Sequence, residues 1–268
     1  MTMTDPAILW QTLREEAQAV AAQEPVLASY IHSVILHHHS LAEAMSFHLA
    51  NLLDSSTAPA LLLREVCLDA LRADPQILQR LCRDIVASYE RDAACDHYLM
   101  PVLYFKGFHA LQAYRVAHWL WGEGRRMLAL HFQNRMSEVF AVDIHPAAEI
   151  GGGIMIDHAT GVVIGETTVI EDDVSMLHEV TLGGSGTARG CRRHPLIRRG
   201  VLLSTGAKVL GPVEIGEGAK IGGGSVVLAD VPAHSTAAGV PARVIGRPAG
   251  EQPALDMDHK LGDIADES

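Results

Sequence analysis

Asp157 and His158 are adjacent in the stretch IDHATG, and Asp143 precedes His158 by 15 residues. An imidazole held by a carboxylate has its tautomer fixed and its imidazolium stabilised, as a general base working near neutral pH requires. Fifteen residues is close to one turn of a repeating scaffold, so contact between Asp143 and His158 is feasible. A lone histidine on a regular wall is more often a packing residue, and the local pattern leaves both readings open. His145, His178 and His194 lie nearby in sequence. A second chemical feature is a basic island: no acidic residue occurs between Glu179 and Glu214, yet Arg189, Arg192, Arg193, Arg198, Arg199 and Lys208 do. In a chain of net charge −11 this suits a local anionic ligand, with a solvated arginine loop as the alternative. A third is the trio Thr205, Gly223 and Pro241, spaced 18 apart and all small or flat. It describes a smooth groove for an extended molecule, with Lys208, Lys220, Arg243 and Arg247 near enough to meet phosphates.

These residues need a scaffold, and a six-residue period supplies one. Apolar residues recur at Ile144, Ile150 and Ile156, then Ile164, Ile170, Met176 and Leu182, then Ile197, Leu203, Val209, Ile215, Ile221 and Val227. At 48% apolar content the chance of that series is about 10⁻⁴. Six fits neither a 3.6-residue helix nor a two-residue strand, but it fits the hexapeptide parallel β-helix, in which residues 18 apart stack at about 4.8 Å. Two phase breaks interrupt the series. The second, from Leu182 to Ile197, forces GGSGTARGCRRHPL out of the wall, and that loop carries the basic island.

The first 140 residues have a different grammar. All 13 aromatic residues lie at or before Phe140, whereas 20 of the 24 glycines lie between Gly151 and Gly250. Asp5-Pro6, Asp74-Pro75 and Ser40-Leu-Ala-Glu are helix starts, and Tyr104, Phe105, Phe108, Leu111, Tyr114 and Trp119 form an aromatic face read as packing surface. We expect an α+β chain: a helical domain over 1–140, a β-helix over 141–247 with a protruding loop, and a mobile acidic tail over 248–268. His37, His38 and His39 point in different directions on a helix and form no metal site. No apolar run reaches the ~18 residues of a membrane span, and the N-terminus lacks signal-peptide features. Four cysteines without framework spacing suit a reducing compartment. The expectations are a cytoplasmic location, no membrane and no nucleic-acid partner.

The stretches FKGFHALQAYRVAHWLW, VDIHPAAEIGGGIMIDHATGVVIGET, DVSMLHEVTLGG, RRHP and TAAGVPARVIG resemble the bacterial serine acetyltransferase family, with helical part and prism in the same order. The resemblance implies a left-handed β-helix and transfer of acetyl from acetyl-CoA to the L-serine hydroxyl, with no tightly bound cofactor and no metal. On the matching positions it implies His158 as general base, oriented by Asp143. Asp92 and Asp157 would receive the serine ammonium, and Arg193 and His194 its carboxylate. Gly183 and Gly184 would present N–H groups to the thioester, and Thr205, Gly223, Lys220 and Arg243 would line the acetyl-CoA groove. It also implies a homo-oligomer that is a dimer of trimers, L-cysteine as inhibitor, and O-acetylserine sulfhydrylase as partner.

The chain departs from the family at four places. Ala93 replaces the Pro of Arg-Asp-Pro, Cys191 and Arg192 stand where an Asp precedes Arg-His-Pro, and His178 stands in place of Gln. The chain ends Asp-Glu-Ser and not in the Ile that relatives insert into the sulfhydrylase, which weakens the case for that partner. Three alternatives compete. An acetyltransferase for another hydroxyl acceptor would share the prism but not the helical part with Asp92. A metalloenzyme of the carbonic anhydrase type needs three converging histidines. A pure scaffold would leave Asp143, Asp157 and His158 without a purpose.

Overall fold

The computed structural model describes residues 2–186 and 191–261. Its helices begin where the sequence offers caps. Asp5 accepts from the N–H groups of Ala7 and Ile8 at the head of α1 (Pro6–Gln23). A short α2 (Ala28–Ile31) runs into a π-turn over His32–Leu36. Ser40 accepts from Glu43 at the start of α3 (Leu41–Leu52), and α4 (Ala60–Ala73) follows. Asp74 accepts from Gln76 at the start of α5 (Pro75–Arg91). Then come α6 (Leu99–Tyr104), α7 (Lys106–Gly122) and α8 (Arg126–Phe140). Twelve residues of α7, among them Phe108, Leu111 and Tyr114, are buried, as befits a central helix surrounded by the others.

From Val142 the chain winds into a three-walled prism. The first coil is β1 (Val142–Ile144), β2 (Glu149–Ile150) and β3 (Met155–Ile156); the second is β4 (Val162–Ile164), β5 (Val169–Ile170) and β6 (Ser175–Met176). The third is β7 (Thr181–Gly183), β8 (Leu196–Ile197) and β9 (Leu202–Leu203); the fourth is β10 (Lys208–Leu210), β11 (Glu214–Ile215) and β12 (Lys220–Ile221). The wall continues with β13 (Val226–Val227), β14 (Thr236–Gly239) and β15 (Ala242–Gly246). Parallel pairing gives a first wall β1-β4-β7-β10-β13, a second wall β2-β5-β8-β11 and a third wall that ends in the antiparallel pair β14-β15. Register puts like hexad positions over one another: Ile144 on Ile164, Ile150 on Ile170, Ile156 on Met176, Leu182 on Val209. All thirteen hexad residues are interior, none more than 6% exposed.

Helices and prism are joined along α5 and α7. Asp84, fully buried, accepts from Arg115 at 2.7 and 3.0 Å, from Gln112 at 3.0 Å and from the Ile154 N–H at 2.9 Å. Arg83 bridges to Asp172 and Asp173, each at 3.0 Å. The expectation of a mobile tail is corrected for residues 248–261. A short helix α9 (Pro253–Asp256) docks with Pro253 and Ala254 buried, and Ser175 Oγ donates to the Ala254 carbonyl at 2.8 Å. The acidic composition concealed this because the anchoring atoms are backbone carbonyls. Residues 262–268 lie outside the described ones.

His48 and His109 are buried with ring centroids 5.0 Å apart. Burial lowers both, to about 3 and about 4 respectively. The unfolded chain therefore takes up protons first, so their contribution to stability is complete above about pH 6.5 and is lost as pH falls towards 4 and 3. Each group steepens the loss by up to about 1.4 kcal/mol per pH unit. Denaturant midpoints at fixed protein concentration should drop across that window, and a His48→Leu/His109→Leu variant should show a flatter profile. An unchanged profile would contradict the assignment.

Candidate active site

The prism turns from third wall to first at one corner and from first wall to second at another, and the candidate residues divide between them. At the first of these corners the hexad series makes its first phase break: Ile156 and Ile164 are separated by eight residues and not six. The extra length forms a wider turn in which His158 and Ala159 both take left-handed backbone, φ 56° and 61°. Two consecutive non-glycine residues in that region carry strain, which is held here by the bonds Ala159 N–H to Asp157 O (2.6 Å) and Thr160 N–H to His158 O (2.7 Å). Ala159 turns inward, whereas His158 projects outward with its side chain 70% exposed. Its Nε2 lies 3.6 Å from Asp157 Oδ2, and its ring meets His178, one coil on, edge to face at 5.7 Å.

Opposite this corner stand the end of α5 and the start of α7. Arg91, buried, donates to the Gly153 carbonyl at 2.9 Å and to Ser175 Oγ at 3.1 Å, which fixes the end of α5 and so the next residue, Asp92. At the start of α7, Gly107 lies so close to the Ile156 carbonyl that a Cβ would overlap its oxygen and come 3.0 Å from Ala159 Cβ. That approach lets the Lys106 ammonium donate to the Thr160 hydroxyl. The resulting cavity, of about 320 Å³, is lined by Ser88, Asp92, Tyr104, Lys106, Asp157 and His158. Three predicted residues thus meet in one place: Asp92, Asp157 and His158. Thr205 and Gly223 continue the same corner below His158, linked by Gly206 N–H to His178 O (3.0 Å) and Gly224 N–H to Thr205 O (2.8 Å).

Arg193, His194, Gly183 and Gly184 belong to the other corner. His194 Nδ1 accepts from the Thr167 N–H at 3.2 Å and lies 2.9 Å from the Thr167 hydroxyl, which leaves Nε2 to carry the ring proton. A Cβ on Gly165 would occupy the ring, and one on Gly184 would come 2.9 Å from Nε2, so these glycines make the slot. Burial lowers the His194 pKa, and the neighbouring Arg193 lowers it further. Arg193 donates to Glu166, whose carboxyl is held below its usual range mainly by that bond. Asp143 sits on the first wall between the corners. Among the described residues it makes no hydrogen bond or ion pair to His158 and accepts from Gln133 Nε2 at 2.6 Å.

Two acetyl-CoA positions need comment. Lys220 is 2% exposed and donates to the carbonyls of Asp258 and Lys260, so the tail segment covers it. Arg243 is exposed on β15. Sequence reasoning missed Lys106, Tyr104, Arg91 and Gln133. The only signal for the first two was the aromatic stretch, whose first residues, from Tyr104 to the buried Phe108, line the cavity while Leu111 and Tyr114 pack inside.

A prism built on a six-residue period places the chain among the hexapeptide β-helix proteins. The model described as "Serine acetyltransferase, N-terminal" matches residues 9–113, and that for "Bacterial transferase hexapeptide (six repeats)" matches residues 194–229. A serine acetyltransferase of Salmonella typhimurium is 56% identical over 257 residues, covering 96% of this chain and 94% of that protein. A solved serine acetyltransferase in complex with cysteine aligns with TM-score 0.91 at 51% identity, covering 94% of this chain and 97% of that one. Another, in complex with CoA, aligns with TM-score 0.85 at 52% identity, covering 88% and 98%. The chain belongs to the serine acetyltransferase family.

Replacement Gly107→Ala should push the start of α7 off the His158 corner, because the obstructing atoms are backbone. Turnover should fall about 10-fold or more. Gly122→Ala, with nothing within 4 Å, serves as control. Equal activity of both variants would contradict the close-approach argument.

Proposed function

We propose that the chain is a serine O-acetyltransferase that moves acetyl from acetyl-CoA to the hydroxyl of L-serine, yielding O-acetyl-L-serine and CoA. The observation that carries this is the placement of Asp92 and Asp157 beside His158 in one cavity: two carboxylates for an ammonium, and a base next to them. An alcohol is a weak nucleophile until a base removes its proton during attack, an effect worth ~10²–10⁴ in rate. His158 takes the serine proton as the oxygen adds to the thioester carbonyl. Collapse of the tetrahedral intermediate expels the CoA sulfur, which takes that proton from the imidazolium. Family complexes with cysteine and with CoA support both ligands.

The split between corners supports a site shared by two copies. Arg193 and His194 of one prism, with Gly183 and Gly184, face the His158 corner of the next, where they hold the acceptor's carboxylate and the developing oxyanion. We assign the assembly as a dimer of trimers, with residues 1–140 joining trimers and 141–247 forming them. We assign Asp143 the role of orienting His158. The groove past Thr205 and Gly223 to Arg243 takes the pantetheine arm. L-cysteine, which presents the same ammonium and carboxylate, competes for the pocket. Cys67, Cys82, Cys95 and Cys191 are free thiols, in keeping with a cytoplasmic location. The seven residues on which sulfhydrylase docking would depend lie outside the described ones, and we assign no such partner.

CoA release should be seen with L-serine and not with sugars in an acceptor panel. His158→Ala should lose at least ~10²-fold in kcat while still binding acetyl-CoA. Asp143→Asn should lose less. Near-normal kcat in His158→Ala, or preference for a sugar hydroxyl, would overturn the assignment.

A further inference from the structure

Among the described residues, Lys106 is the one lysine or arginine that lines the cavity with Asp92, Asp157 and His158. Among the described residues it has no carboxylate partner; its ammonium donates only to the neutral Thr160 hydroxyl. Among the described residues Asp92 has no cationic partner either, and Asp157 has only the His158 ring at 3.6 Å. Two carboxylates without a lysine or arginine partner and an ammonium without a carboxylate partner, around about 320 Å³, form a complement to a small zwitterion. Lys106 also opens α7, a 17-residue helix with no side-chain cap, so its own positive charge and the positive helix end face the same cavity.

We propose that Lys106 binds the α-carboxylate of the acceptor amino acid, so that a single chain recognises both charged ends of the acceptor before Arg193 of a second copy completes the contact. This rests on the function proposed above and adds a specificity residue to it. An acceptor without a carboxylate leaves the Lys106 ammonium unpaired in the closed site, and a hydrogen bond to a charged group is costly to forfeit. Lys106 therefore selects amino acids over amino alcohols and amides.

The test compares L-serine with L-serinamide as acceptors for the full-length enzyme and its variants. Lys106→Met should raise the KM for L-serine about 10-fold or more, keep kcat and the KM for acetyl-CoA within about threefold, and shrink the preference for L-serine over L-serinamide by a similar factor. Lys106→Arg should restore most of that preference. Thr160→Val should leave it intact, since the hydroxyl only parks the ammonium. The proposal is overturned if Lys106→Met lowers kcat equally for both acceptors at unchanged KM, the result expected if the lysine merely steadies the His158 turn. An unchanged preference overturns it as well. Wild-type enzyme that released no CoA with L-serine would overturn the function itself, and this proposal with it.

Discussion

The buried pair of Asp84 and Arg115 holds three pieces of chain in one frame. Asp84 is on α5, Arg115 on α7, and both reach the first coil, through the Ile154 N–H on one side and the Ile150 and Gly151 carbonyls on the other. Burying two charges is costly, but Arg115 makes four hydrogen bonds and both oxygens of Asp84 accept, and removing one partner from such a pair costs about 3–5 kcal/mol. The consequence is geometric. The end of α5 carries Asp92, the start of α7 carries Lys106, and the first coil carries Asp157 and His158, so one junction sets all four side chains around the cavity.

The same frame explains why the candidate residues fall into two groups. A prism presents its corners outward, and a residue's position along the hexad fixes the corner to which it belongs. His158 follows β3 and faces the helices. His194 and Arg193 precede β8 and face away, across the width of the first wall. No side-chain motion within one chain closes that gap, because the wall between them is a packed, hydrogen-bonded ladder. In the proposed assembly, a neighbouring prism set against the first wall closes it.

Much of this was written in the sequence at particular places. The hexads named the interior residues of every wall, and the two interruptions of the series are the two corners that carry the candidate residues: the wide turn of His158 and the loop before His194. Asp5, Ser40 and Asp74 cap helices as their spacing implied. What spacing alone does not convey is which corner faces which partner, so Arg193 and Asp92 looked like one pocket when a single chain keeps them apart. Lys220 looked like a surface cation because the segment that covers it binds through backbone carbonyls, which have no compositional signature. Lys106 was hidden in an aromatic stretch whose first residues line a cavity and whose later ones pack inside.

Mixed assemblies test the shared site most directly. His158→Ala and Arg193→Ala chains, each impaired alone, should be co-expressed in equal amounts with different tags, and the doubly tagged material assayed with L-serine and acetyl-CoA. If each site draws His158 from one copy and Arg193 from the next, random assembly restores about a quarter of native sites, with native KM for L-serine. Activity no greater than the sum of the two impaired parents would show that each chain builds its site alone and would contradict the account.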